Sequence, residues 1–129
     1  MSKFVTRDDA NRGFEFQVID DAGEKADWYI TVVGADSDIY RAKQNEQRRR
    51  NIANVNRTKS LAQTLGNAEA DAIELIVAAT SGWRGKDAMA EYSPKECDRI
   101  YTEFPQIREQ ADRAIGERAN FLPSAATSS

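Results

Sequence analysis

The sequence predicts a mainly α-helical α+β fold: an N-terminal β-hairpin followed by a bundle of about four helices, one of them long and rich in arginine. Three observations predict it. Residues 14–33 hold two runs of strand-forming residues separated by a turn sequence, no proline or glycine interrupts the chain between Gly34 and Gly66, and the later segments carry apolar residues at helical spacing. With 129 residues, 40% of them hydrophobic, the chain is long enough for one domain with its own core.

The predicted hairpin spans residues 14–33. In GFEFQVID, Phe14, Phe16 and Val18 alternate with polar residues, which is the period-2 pattern of a half-buried strand. The turn residues of DDAGEKAD follow, and WYITVVG is rich in β-branched and aromatic side chains. Because an isolated two-stranded ribbon is marginal in water, we expect its apolar face to lie on helices or on another subunit.

A long helix is predicted over residues 38–65, beginning at the capping sequence Asp-Ser-Asp. Residues 39–66 contain seven basic residues and one acidic residue, a net charge of +6, whereas the segments before and after carry −5 and −4. Residues 41–51 contain no large apolar side chain. This part of the helix is therefore expected to be exposed to solvent or bound to a partner.

Three more helices are predicted, over about residues 68–80, 94–103 and 105–120. Asn67 is a plausible N-cap for the first, whose apolar stripe includes Ile73 and Ile76. Ser93, with Pro94 next and Glu96 at the third helical position, predicts a capping box at the start of the second. The last begins at Pro105, with Ile107, Ala111, Ala114, Ile115 and Ala119 on one face.

The segments outside these elements are predicted to be irregular. Residues 81–92 contain two glycines and are expected to form a loop that carries Trp83. Residues 1–13 are predicted to be a flexible N-terminal arm, residues 14–122 a single globular domain, and residues 123–129 a disordered tail.

The composition argues against an enzyme, because the chain has no histidine, the commonest general acid or base. A single cysteine, Cys97, excludes an internal disulfide and is expected to be a core or boundary thiol. GWRGK lacks the glycine spacing of a phosphate-binding loop, and acidic pairs such as Asp20/Asp21 sit at turn positions. We therefore predict no catalytic residue, metal site or cofactor.

The first ten residues lack the apolar core of a signal peptide, and the longest nearly apolar run, AIELIVAAT, is too short to cross a bilayer. The expected location is therefore the cytoplasm, with no membrane partner.

The basic helix is the strongest candidate for a functional surface, and three interpretations are open. Residues 41–59 could bind nucleic acid, could form a solvated face, or could contact acidic patches on a partner protein or on another copy of this chain. Arg48, Arg49 and Arg50 are consecutive and so point around about 200° of the helix instead of lining one stripe. Acidic flanks and the absence of interleaved aromatic residues also weigh against nucleic acid.

The sequence resembles the tail assembly chaperones of long-tailed, siphovirus-type bacteriophages. The resemblance lies in WYITVVGADSDIYRAKQNEQRRRN, in AATSGWRG and in YSPKECDRIYTEFPQIREQADRAIGERANFLP, which occur in the family's order and cover roughly residues 28–123.

The resemblance implies a non-enzymatic morphogenesis factor of the host bacterial cytoplasm, absent from the mature virion. Its implied partners are the tape measure protein, the tail tube protein and further copies of itself. A small nucleic-acid-binding regulator that uses the helix at residues 41–59 is the alternative. The candidate residues for partner binding or self-association are Arg41, Lys43, Arg48, Arg49, Arg50, Arg57, Trp83, Tyr92 and Phe121.

Overall fold

The computed structural model describes residues 4–58 and 61–123. An N-terminal β-hairpin followed by helices is confirmed. The elements in chain order are α1 (Arg7–Asn11), β1 (Phe14–Ile19), β2 (Lys25–Val32), α2 (Asp38–Thr58), α3 (Leu61–Ala79), β3 (Thr80–Arg84), α4 (Pro94–Glu103), α5 (Pro105–Gly116) and a 3-10 helix (Arg118–Phe121).

The sheet has three antiparallel strands in the order β1-β2-β3. The third strand corrects the prediction of a loop, because Thr80–Arg84 pairs with β2 so that Ile30 lies opposite Trp83 and Thr31 opposite Gly82. The local sequence TSGWR is a weak strand former, and its pairing with a segment 50 residues away is what makes it a strand.

The boundary between the second and third helices also differs from the prediction. α2 ends at Thr58 and α3 begins at Leu61, so Gly66 and Asn67 lie inside α3 instead of at a helix break. A glycine inside a helix costs only about 1 kcal/mol relative to alanine, which is small beside the packing of a long helix. Residues 59 and 60 lie outside the described residues, as does the side chain of Arg57.

The two ends of the chain are more structured than predicted. Within the expected N-terminal arm, residues 7–11 form α1, in which Thr6 and Asp9 make a capping box and Ala10 is buried. At the other end, α5 stops at Gly116 instead of continuing to residue 120, and the 3-10 helix buries Phe121. Residues 1–3 and 124–129 of the predicted arm and tail lie outside the described residues.

Only one half of the capping box predicted for α4 forms. The Ser93 hydroxyl accepts the amide of Glu96 at 3.1 Å, but the Glu96 carboxylate pairs with Arg99 at 2.7 Å instead of returning to Ser93. The predicted start at Pro94 is confirmed.

The core lies between one face of the sheet and helices α3, α4 and α5. β2 contributes Trp28, Ile30 and Val32, which alternate with residues on the open face. The predicted apolar stripes of α3 and α5 are confirmed at Ile73, Ile76, Ile107, Ala111, Ala114 and Ile115, although Ala119 is exposed. No helix within the described ranges is long and apolar enough to cross a membrane.

Candidate protein-interaction surface

The interface between α2 and α3 is polar. Gln47 is buried, and its side-chain amide donates to the Asp71 backbone carbonyl at 2.7 Å and to the Glu74 carboxylate at 3.0 Å. Arg50 donates to the Asp71 and Glu74 carboxylates at 2.9 and 3.0 Å, and Asn51 donates to Asp71 at 3.2 Å. The segment without large apolar residues, which was predicted to be exposed or bound to a partner, is thus held against α3 by hydrogen bonds on one side.

These contacts shift the ionisation of both partners. The hydrogen bond from Gln47, followed by those from Arg50, holds the pKa of Glu74 below its usual value. The hydrogen bond to Glu74 in turn raises the pKa of Arg50. Arg50 is therefore part of the structural link between the two helices, and it is a poor candidate for a free docking charge.

The predicted set of basic residues divides according to its partners. Arg41 pairs with Asp36 at 3.2 Å, Lys43 with Glu46 at 3.3 Å and Arg50 with α3. Arg48 and Arg49 are exposed and make no ion pair within the part of the chain that the structure describes. These two arginines are the members of the triple that remain available to a partner.

Arg48 and Arg49 lie on the side of α2 that faces away from α3. With 100° per residue, Asn45 and Ile52 lie roughly opposite Gln47, and the two arginines lie on either side of them. Asn45 is exposed, and Ile52 has 57% of its surface accessible. We call Asn45, Arg48, Arg49 and Ile52 the outer face of α2.

The start of α2 is anchored by Asp36. Its carboxylate accepts from Arg118 at 2.7 and 3.1 Å and from Arg41 at 3.2 Å, which joins the turn before α2 to the 3-10 helix. The hydrogen bonds from Arg118 are the main reason that the pKa of Asp36 lies below its usual value. The long helix is therefore fixed at its start as well as along its inner face.

The three aromatic candidates do not form an exposed docking patch. Trp83 packs edge-on between Trp28 and Tyr92, with ring centroids 5.6 and 5.0 Å apart, and its indole donates to the Ala90 carbonyl at 2.8 Å. Phe121 is 3% exposed.

The hydroxyl of Tyr92 donates to the backbone carbonyl of Thr80 at 2.8 Å. Each of the three side chains therefore makes contacts within the fold, with Phe121 in the core and Trp83 and Tyr92 partly buried beside it, and their role in partner binding stays a prediction.

Other chemistry-bearing groups are structural. Cys97 is fully buried, as predicted, and burial raises its pKa to about 11. The Thr80 hydroxyl donates to the Ile76 carbonyl at 2.9 Å and lies 2.8 Å from the hydroxyl of Tyr101, so Tyr101 is the donor in that buried pair. Among the described residues, no group of three or more histidine, cysteine or carboxylate side chains is placed to hold a metal ion.

Comparison of the chain with protein-family models, with curated proteins and with solved structures finds no significant match. The fold and the outer face of α2 are thus the structural observations on which a functional proposal can rest.

Proposed function

We propose that this protein is a tail assembly chaperone of a long-tailed bacteriophage. It binds the tape measure protein in the host bacterial cytoplasm and helps to recruit tail tube subunits, without catalysing a reaction. The outer face of α2 is the observation that carries the proposal. A long helix is fixed along one side and presents two arginines and an isoleucine on the other, and such a mixture of charge and apolar surface suits contact with another protein.

The segments that resemble this family correspond to coherent parts of the fold. WYITVVGADSDIYRAKQNEQRRRN covers most of β2, the anchored turn and the part of α2 that carries Arg48 and Arg49. AATSGWRG covers the end of α3 and β3, and the last segment covers α4, α5 and the 3-10 helix. The resemblance thus includes both the core and the exposed basic helix.

The division of the basic residues favours a protein partner over nucleic acid. Each phosphate that a basic residue neutralises adds to the salt dependence of nucleic-acid binding, and tight non-specific binding needs many such contacts. Arg41, Lys43 and Arg50 already pair with carboxylates of this chain. Among the side chains of α2 that the structure describes, Arg48 and Arg49 are the basic residues left without an ion pair. Two arginines supply few phosphate contacts, and the nearby carboxylates would repel a polyanion.

The test compares the binding of the purified protein to a tape measure fragment and to generic duplex DNA, each from about 50 to 500 mM salt. The test variant is Arg48→Glu/Arg49→Glu, which leaves the structural Arg50 intact. The matched control is Lys95→Glu/Arg113→Glu, because these two basic residues are exposed and make no ion pair in the described part of the chain. Both variants change the net charge equally.

We expect the wild-type protein and the control to bind the tape measure fragment at both ends of the salt range, and the test variant to bind it at least about 10-fold more weakly. Tight DNA binding that weakens steeply with salt, together with no binding of the fragment, would instead identify the nucleic-acid-binding regulator.

A further inference from the structure

A second feature of the surface is a cavity of about 690 Å³ at the end of the β1–β2 hairpin, where it meets the α4–α5 junction. Its floor is apolar and includes Trp28, Met89 and Phe104. Its rim carries five carboxylates and one ammonium group, from Asp20, Asp21, Glu24, Asp87, Glu103 and Lys25. We call this cavity the acidic groove.

Three of the five carboxylates on the rim already make hydrogen bonds or ion pairs within the fold. Asp20 caps the turn, Asp87 accepts the amide of Asp27 at 2.7 Å, and Glu103 pairs with Arg99 at 3.3 Å. Asp21 and Glu24 make no side-chain hydrogen bond or ion pair in the described part of the chain. These two carboxylates are therefore free to meet a cation.

The best occupant thus combines positive charge with an apolar side chain. The outer face of α2 offers both: the guanidinium groups of Arg48 and Arg49 and the exposed Ile52. None of these groups is engaged by an ion pair or side-chain hydrogen bond in the part of the chain that the structure describes. The two surfaces are complementary in charge and in polarity.

We propose that the outer face of α2 of one copy docks in the acidic groove of a second copy, with Ile52 on the apolar floor and Arg48 and Arg49 against Asp21 and Glu24. Each copy carries both surfaces, so the contact is heterologous and can repeat from one copy to the next. The proposed client contact uses the same outer face of α2, so the two contacts exclude one another on a given copy. That relation rests on the proposed chaperone function, but the test of the docking needs only this chain.

The test uses two full-length variants, each with one of the two surfaces reversed in charge. The helix variant is Arg48→Glu/Arg49→Glu, and the groove variant is Asp21→Lys/Glu24→Lys. Matched controls are Lys95→Glu/Arg113→Glu for the first and Glu91→Lys/Glu109→Lys for the second, all at exposed positions without described ion pairs. Circular dichroism and thermal unfolding establish that each variant is folded, and sedimentation velocity measures its association.

We expect the wild-type chain and both controls to associate, more weakly as salt rises from about 50 to 500 mM. Each test variant alone should have a dissociation constant at least about 100-fold higher, because reversal places like charges opposite one another. An equimolar mixture of the two variants should recover association, since the arginines of the groove variant meet the intact groove of the helix variant and the new glutamates of the helix variant meet the new lysines of the groove variant.

The proposal is overturned by a monomeric wild-type chain at high micromolar concentration, by variants that associate as the wild type does, or by a mixture of the two variants that does not associate. A groove variant that keeps self-association but no longer binds the tape measure fragment would assign the groove to the client instead. The outcomes separate the two proposals. A wild-type chain that binds the tape measure fragment but does not self-associate contradicts the docking proposal and not the chaperone function. A wild-type chain that self-associates but does not bind the fragment contradicts the chaperone function and not the docking proposal.

Discussion

Replacing Gln47 by alanine tests whether hydrogen bonds hold the basic helix against α3. The change removes the bond to the Asp71 carbonyl at 2.7 Å and the bond to the Glu74 carboxylate at 3.0 Å. A neutral hydrogen bond contributes about 1 kcal/mol and one to a charged group about 1.5–3 kcal/mol. Glu74 keeps its bond from Arg50 at 3.0 Å, so no carboxylate is left unpaired and the lower end applies. We expect a loss of about 2.5 kcal/mol in the free energy of unfolding.

Urea denaturation followed by circular dichroism measures this loss. With a slope of about 2 kcal/mol per molar, the urea midpoint should fall by about 1.2 M. Gln44→Ala is the control, because Gln44 lies on the same helix, its side chain makes no hydrogen bond in the described part of the chain, and the change in helix propensity is the same. Equal midpoints for the two variants, within about 0.3 M, would refute the idea that this polar interface stabilises the fold.

Three further predictions concern the rest of the fold. Gly85 has φ +124°, and an added Cβ would overlap the Asp27 carbonyl. Gly85→Ala should therefore lower the free energy of unfolding by more than about 3 kcal/mol in the same urea assay. Gly82→Ala is the control, because a Cβ at Gly82 would meet open space, and it should change the free energy of unfolding by less than about 1 kcal/mol. Cys97, with its pKa raised to about 11, should react with Ellman's reagent at pH 8 at least about 100-fold more slowly in the native chain than in urea. Asp36 has a lowered pKa, so its stabilising contribution is complete above its unfolded pKa near 3.8 and is lost as pH falls through the lower folded value. Asp36→Asn should thus be less stable at pH 7, by about 1 kcal/mol, and should show a smaller drop in stability between pH 5 and pH 3, as thermal unfolding can measure.

The elements that the sequence predicted well are those with a strong local signal. Alternation of Phe14, Phe16 and Val18 defined the first strand, and the Ser93-Pro94 pair defined the start of α4. Both signals arise from residues that are neighbours in the chain, so no knowledge of the tertiary contacts was needed.

The elements that were missed depend on contacts between distant segments. β3 contains two small residues and one β-branched residue, and only its pairing with β2 reveals it as a strand. The position of the α2–α3 boundary was predicted wrongly because Gly66 was interpreted as a helix end, whereas Gly66 lies inside α3. Local propensity does not report either effect.

The candidate site was predicted only in outline. The sequence singled out Arg48, Arg49 and Arg50 together, but the carboxylates of Asp71 and Glu74 engage only the third. The sequence does hold a signal for this interface. Lys43, Gln47 and Arg50 are spaced so that they lie on one side of α2, and the acidic residues Asp71 and Glu74 are three positions apart on α3. The burial of Phe121 and the partial burial of Trp83 and Tyr92 could not be predicted, because exposure cannot be derived from residue type.

The solubility of the tape measure protein tests the proposed function most directly. The protein and its tape measure partner are co-expressed, and the soluble fraction of the partner is measured by quantitative immunoblotting. We predict a soluble fraction several-fold higher with the wild-type chain or Lys95→Glu/Arg113→Glu than with no chaperone, and a loss of most of that gain with Arg48→Glu/Arg49→Glu. A soluble fraction that does not change when the wild-type chain is present would contradict the proposal that it is a tail assembly chaperone.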